Sequence, residues 1–254
     1  MTFLDLHVPG DPLLIPNPWD VGSARLFEAL GAKALATTSS GFAATLGHRD
    51  GDVTVEQVLD HCHDLAAAVR VPVAADFENG YAQSLDELAD NYRLAAATGL
   101  AGASIEDWSG AALYGSAEAA ERVGVARTAA PGLVLTGRAE GYLHGEPDLA
   151  DAIARLQAYG AAGADVLYAP GLSEMADIAT LVKEVGKPVN VLLLPGMSIP
   201  ALADVGVARV SVGSWLTWSA WQAVSAAAQE FLAGGSDWLA TAAQGRAEAG
   251  RVLD

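Results

Sequence analysis

The chain has 254 residues, is 52% hydrophobic and carries a formal net charge of −17. That charge repels nucleic acid and anionic lipid, so neither is expected as a partner, and an anionic substrate needs a local positive centre: a metal, an arginine or backbone N–H groups. A single cysteine, Cys62, excludes an internal disulfide, no apolar run reaches the roughly 18 residues of a membrane span, and residues 1–8 lack the basic-then-apolar pattern of a secretory leader. These features together predict a cytoplasmic protein.

Short apolar runs with strand character alternate with longer helical runs. Residues 13–16 predict strand one, and 22–30 the first helix, with Ala24, Leu26, Phe27 and Leu30 on its apolar face. Residues 34–38 predict strand two. Thr54, with Gln57 three residues on, opens a helix through Val69 by a capping box. Strand three follows at 71–76, and Ser84 with Glu87 opens a helix over 85–98. Strand four is expected at 102–106, a helix at 116–128, strand five at 133–138 and a helix at 148–160. Strand six at 165–169, a helix at 173–185, strand seven at 188–193, a short helix at 199–205 and strand eight at 208–212 complete the alternation. A long helix at 215–233 and one further helix end the chain.

Eight such units imply parallel strands joined by right-handed crossovers, closing as a (β/α)8 TIM barrel. Gly31, Gly99, Gly163 and Gly206 each stand where a helix must stop before the next strand. No linker divides the chain, so residues 1–254 read as a single α/β-barrel domain with a C-terminal helical extension. Trp215, Trp218 and Trp221, spaced by three, make an aromatic stripe suited to tertiary or subunit packing.

In barrels the chemistry collects at strand C-termini. Those ends carry Asn17, Trp19 and Asp20; Ser39, Ser40 and Gly41; Asp76 and Glu78; Glu106 and Asp107; Arg138 and Glu140; Tyr168; Asn190; and Ser214. Strand starts offer little by comparison. Asp76 and Glu78 are two apart, which on an extended strand points them the same way. Two such acids repel unless a proton or a cation lies between them. With Glu106 they form an oxygen-only donor set suited to Mg2+ or Mn2+. A lone acid can equally cap a helix or sit in a solvated turn. Ser39-Ser40-Gly41 reads as an ordinary turn or as an anion cradle. Arg138 can pair Glu140 or Glu106, bind substrate, or do both. Asn190 reads as a polar residue of the barrel interior or as a substrate ligand. The loop 39–52, with Asp50, is long enough to suggest function. Cys62 reads as core, and His61 and His63 as surface or packing.

In combination these residues resemble the isocitrate lyase/phosphoenolpyruvate mutase superfamily, in particular its carboxyphosphonoenolpyruvate phosphonomutase-like members. The resemblance is carried by Asn17-x-Trp19-Asp20, the run 38–47 through Asp50-Gly51, Asp76-x-Glu78-x-Gly80-Tyr81, Ser104-Ile-Glu106-Asp107, Arg138 with Glu140, and the Asn190 strand. It implies a barrel whose eighth helix is swapped with a neighbouring subunit of a homodimer or homotetramer. It implies Mg2+, or Mn2+, held by Asp76, Glu78 and Glu106, partly through water. It implies a small 2-oxo or 2-hydroxy acid as substrate, with its carboxylate on Ser39, Ser40 and Gly41, and with Trp19, Arg138 and Asn190 completing the substrate site. Asp50 matches an aspartate of the phosphonate-processing members. Family lyases carry Lys-(Lys/Arg)-Cys-Gly-His after strand four, and the mutases carry Lys and Asn there. Residues 108–115 here hold no Cys, Lys or Asn, and Glu78 replaces the usual aspartate.

The expected function is a Mg2+-dependent lyase that breaks a C–C bond of a small 2-oxo or 2-hydroxy (di)carboxylic acid through an enolate-like intermediate. Asp50 or Tyr114 is the expected proton-transfer group. A phosphonomutase or phosphonopyruvate-hydrolase-type enzyme acting on a P–C bond is the alternative, and a non-catalytic carboxylate-binding barrel a third.

Overall fold

A computed structural model describes residues 2–253; Met1 and Asp254, the two ends of the expected domain, lie outside the described residues. Its strands are β1 (Leu13–Ile15), β2 (Leu35–Ala36), β3 (Val73–Ala75), β4 (Gly102–Glu106), β5 (Val134–Arg138), β6 (Val166–Tyr168), β7 (Val189–Leu192) and β8 (Arg209–Ser211). They pair in parallel in the order β1-β8-β7-β6-β5-β4-β3-β2. The seam between β1 and β2 is bridged just past the strands. There Ala36 N–H donates to Pro16 O at 3.3 Å, and Asn17 Nδ2 donates to Thr37 O at 3.0 Å. The result is the expected (β/α)8 barrel.

The helices are α1 (Val21–Ala29), α2 (Ser39–Thr45), α3 (Val55–Ala68), α4 (Leu85–Ala97), α5 (Ser116–Ala129), α6 (Leu149–Ala162), α7 (Met175–Val185), α8 (Ile199–Asp204), α9 (Trp215–Leu232) and α10 (Trp238–Leu253). The Thr54–Gln57 capping box forms as expected on α3. On α4, Ser84 caps as expected, but the Glu87 carboxylate reaches one residue further back, to Gln83 N–H at 2.8 Å. Gly31, Gly99, Gly163 and Gly206 take φ of 96°, 93°, 117° and 87°, left-handed values that a side chain would strain. Two expectations are corrected. Leu30 is 67% exposed rather than part of the buried face of α1. The loop after β2 is shorter than expected, because residues 39–45 are helical. Of the two readings for His61, surface or packing, packing is the one found: it is buried and stacked on Phe42 at 3.8 Å.

The N-terminal end of the barrel is closed by Phe3, Leu13, Ile15, Ala34 and Ala74. His7 lies on this floor. Its Nδ1 bonds Phe3 O at 3.1 Å, and its Nε2 faces Arg209 Nη1 at 3.3 Å. With Nδ1 donating, Nε2 is left as acceptor, so the ring is neutral. At the opposite end of the chain, α9 buries only Thr217 among its residues. The Trp215, Trp218 and Trp221 side chains stand exposed, and an apolar hollow of about 770 Å3 opens between α1, β1 and α8, where Leu14 is 49% exposed.

Burial and the Arg209 charge push the His7 pKa down to about 4. The folded protein therefore refuses a proton that the unfolded chain accepts, and stability falls as the pH drops from 6.5 to about 4. Over that window the wild type should lose roughly 2–3 kcal/mol more than His7→Gln. Urea unfolding at stepped pH measures this; parallel curves for the two proteins would show His7 is not the cause.

Candidate active site

Arg138 leaves the C-terminal end of β5 in register with Glu106 on β4 and Tyr168 on β6. Its guanidinium gathers three carboxylates. Nη1 donates to Asp76 Oδ1 at 2.5 Å, Nε donates to Glu140 Oε1 at 2.8 Å, and Nη2 lies 3.3 Å from Glu106 Oε2. The Tyr168 ring stands 5.4 Å away. Burial opposes the arginine's charge, but Glu140, Asp76 and Glu106 outweigh it. At Glu106 and Glu140 burial dominates and pushes both carboxyls up, against the pull of Arg138. One guanidinium cannot neutralise three buried carboxylates, so the cluster holds a proton or a further cation.

Glu140 is itself anchored. Its N–H donates to Asp107 Oδ1 at 2.8 Å, while Asp107 Oδ2 accepts from Tyr159 OH at 2.6 Å and Arg155 Nη1 at 3.1 Å. Asp107 thus serves as the buried post of the cluster rather than as a free acid at the rim.

Asp76 and Glu78 do not come together as same-face residues of one extended strand. β3 ends at Ala75, and Glu78, Gly80 and Tyr81 follow at φ of 43°, 79° and 52°. Left-handed backbone at two non-glycine residues costs of order 1–3 kcal/mol each and persists where the surroundings over-determine it. Here Arg122 Nη2 donates to Asn79 O at 2.8 Å and Ala82 O at 2.9 Å, and Asn91 Nδ2 donates to Gly80 O at 2.9 Å and Tyr81 O at 3.1 Å. The pinned turn presents Glu78 to the cluster, where Tyr81 OH donates to Oε1 at 2.7 Å. Burial, reinforced by Asp76 and Asp50, pushes the Glu78 pKa up to about 7 against Tyr81 and Arg138.

A cavity of about 210 Å3 enters the barrel from this end. Ser39, Ser40, Asp50, Asp76, Arg138 and Asn190 line it; an adjoining hollow is lined by Glu78, Glu106, Trp108 and His144. Asp50 stands on the exposed rim, where partial desolvation and the Asp76 charge push its carboxyl up. Three expected site residues are not brought to either space. Gly41 lies inside the packing: a Cβ there would come within 2.6 Å of both Thr217 Oγ1 and Thr38 Cγ2. Trp19 packs edge-on to Phe27 at 6.0 Å. Tyr114 lies under Arg122, 4.5 Å from ring centroid to guanidinium, with its hydroxyl buried and unpartnered among the described residues. The amide expected to cradle an anion at Ser39 donates instead to Asp76 Oδ2 at 3.3 Å. The segment after β4 is a tight hairpin, with Trp108 bridged to Leu113 and stacked flat on His144 at 3.6 Å.

The donor set fits a hard divalent cation. Asp76, Glu106 and Glu140 contact the one guanidinium of Arg138, with Glu78 beside them and Asp50 on the rim, so negative charge is in surplus. No three of these acids close into a ready cage among the described residues. Mg2+ keeps much of its water and takes one or two carboxylates, so such a cage is not required.

Arg209, not among the expected site residues, is buried and lines the floor of the same cavity. Its signal was present: Arg209, Val210 and Ser211 alternate, which turns Arg209 to the barrel interior.

The family profile described as phosphoenolpyruvate phosphomutase matches residues 3–232. The uncharacterized protein Rv1998c of Mycobacterium tuberculosis (strain ATCC 25618 / H37Rv) is 35% identical, covering 84% of this chain and 82% of its own. Oxaloacetate decarboxylase of Paraburkholderia xenovorans (strain LB400) is 33% identical over 81% of this chain and 71% of its own. A crystal structure from Burkholderia cenocepacia J2315, provisionally assigned as a lyase/mutase, is 46% identical with a TM-score of 0.86, covering 90% of this chain and 86% of that one. A phosphonopyruvate hydrolase structure in complex with oxalate and Mg2+ shares the fold at a TM-score of 0.81 and 20% identity, covering 96% of this chain and 95% of that one.

Asp107→Ala orphans the Tyr159 hydroxyl and the Glu140 N–H and takes one buried partner from Arg155, which keeps Asp151 and Tyr114 O. It should cost about 3–5 kcal/mol in chemical denaturation, the scale of a broken buried ion pair. A loss under about 1 kcal/mol would mean that Asp107 does not hold the cluster in place.

Proposed function

Because the chain belongs to the phosphoenolpyruvate phosphomutase family, within a superfamily of lyases and mutases acting on small carboxylates and phosphonates, we propose that it breaks a C–C bond of a small 2-oxo or 2-hydroxy dicarboxylic acid with Mg2+ or Mn2+ bound. The observation that carries this reading is the surplus of buried carboxylates around Arg138 at the barrel mouth. Asp76 and Glu78, with Glu106 behind them, are the residues that would hold the cation. When bound, it supplies Lewis-acid charge at the substrate's carboxylate and 2-oxygen.

The chain's own groups do the rest. Arg138, immobilised by three acids, faces the negative charge that develops on the 2-oxygen as the C–C electron pair moves into an enolate. Ser39 and Ser40 orient the substrate at the rim. Asp50, on the rim of the cavity, is placed to return a proton to carbon. The hairpin at 108–115 offers no thiol or ammonium to move a hydroxyl proton, which favours a 2-oxo acid over a 2-hydroxy acid. Cleavage of a P–C bond is the second reading, supported by Asp50 and by the family profile.

The test is a Mg2+-supplemented screen of oxaloacetate, 2-methylmalate and phosphonopyruvate, following product formation and phosphate release. The expected result is metal-dependent cleavage of a 2-oxo dicarboxylate, lowered about 1,000-fold by Asp76→Ala. Turnover that survives both chelator and Asp76→Ala would sink the assignment.

We also propose that the apolar hollow between α1, β1 and α8 receives α9 of a second copy, giving a homodimer or homotetramer. The exposed Trp215, Trp218 and Trp221 on α9 and Leu14 in the hollow support this. Trp221→Glu should shift the sedimenting species toward monomer; an unchanged mass would rule out that contact.

A further inference from the structure

Arg209 is buried without a carboxylate. Its Nε donates to Asn190 Oδ1 at 2.9 Å, Nη2 donates to Thr136 Oγ1 at 3.2 Å, and Nη1 faces the neutral His7 Nε2 at 3.3 Å. All three partners are uncharged, and two of the guanidinium's N–H groups remain to spare. A buried charge normally has a counter-ion, because desolvation alone costs several kcal/mol. Arg138 has three; Arg209 has none among the described residues.

The position of Arg209 follows from the barrel. Glu106, Arg138, Tyr168, Asn190 and Arg209 are successive register partners from β4 to β8. Strands in a barrel tilt, so this row descends from the mouth at Arg138 to the floor at Arg209. Thr136, which receives Arg209, stands two residues before Arg138 on the same face of β5, a rise of about 7 Å. One cavity therefore has a guanidinium at each end, and only the upper one is neutralised by the protein.

We propose that Arg209, with Thr136, Asn190 and Ser211, seats the distal carboxylate of a four-carbon acid whose first carboxylate lies at the Arg138 end. This assignment rests on the reading of the mouth as a small-acid site and adds the residues that tell a dicarboxylate from a monocarboxylate. The Ser211 hydroxyl, which already accepts from Asn190 Nδ2 at 3.0 Å, keeps the Asn190 carbonyl turned to Arg209. Seating the distal group would also fix the angle of the bond to be broken relative to the 2-oxo plane.

The test is calorimetry with Mg2+ on the full chain, using L-malate and 2-hydroxybutyrate, which differ by a carboxylate in place of a methyl group. Wild type should prefer malate roughly 100-fold, the scale of a desolvated charge pair. Arg209→Gln should abolish that preference while retaining 2-hydroxybutyrate, and Arg209→Lys should restore part of it. Equal affinity of the wild type for the two acids overturns the proposal, even if Arg209→Gln fails to fold. Equal weakening of both ligands in a folded Arg209→Gln protein overturns it too. Oxalate, too short to reach the floor, separates the two readings. If the wild type binds oxalate but shows no malate preference, the floor site alone fails; if oxalate does not bind, the mouth reading fails with it.

Discussion

One guanidinium holding three buried carboxylates is the interaction on which the mouth of this barrel depends. Asp76, Glu106 and Glu140 come from three different strand ends, and Arg138 joins all three. Without the arginine the acids would repel and draw in water; without the acids the guanidinium would be an isolated buried charge. The arrangement is rigid because Glu140 is tied to Asp107, and Asp107 in turn to Arg155 and Tyr159. It is also short of positive charge, since three acids meet one arginine. That deficit is the physical reason a proton or a divalent ion belongs there.

The strained turn after β3 serves the same cluster. Two non-glycine residues with positive φ are held by Arg122 and Asn91, whose side chains come from α5 and α4. The helices outside the barrel thus spend polar side chains on turn carbonyls at the mouth. The hairpin at 108–115 closes the same rim with a flat indole–imidazole stack added to its own hydrogen bonds, among them Tyr114 N–H to Asp107 O at 2.8 Å. The two loops together make the rim pre-formed, which suits a small ligand that brings little binding energy of its own.

Charge inside the cavity is arranged as a gradient. The upper guanidinium is over-neutralised, and the lower one is left with neutral partners. A pocket built this way suits the proposed ligand, one that is anionic at both ends. On the proposed reading, a protein with net charge −17 would attract an acid through positive centres that are local and desolvated, where Coulomb interactions are strongest.

Much of this was readable before any coordinates. Strand and helix alternation, the Thr54–Gln57 cap and the glycine stops are local patterns, and local patterns set local structure; hence eight units and a barrel were legible, with Asp50, Asp76, Glu78, Glu106 and Arg138 on one rim. What the sequence could not show is partner choice across space. Arg138 and Asp76 are 62 residues apart, and Arg209 and His7 are 202 apart. The withdrawal of Trp19, Gly41 and Tyr114 into packing, the left-handed turn that returns Glu78, and the uncompensated Arg209 all depend on which side chains meet once the barrel closes. By itself the chain determined the scaffold and its polar rim, because hydrophobic period and capping act over a few residues. Only the tertiary structure decided which charges are paired, because burial and ion pairing are properties of neighbours brought together by folding.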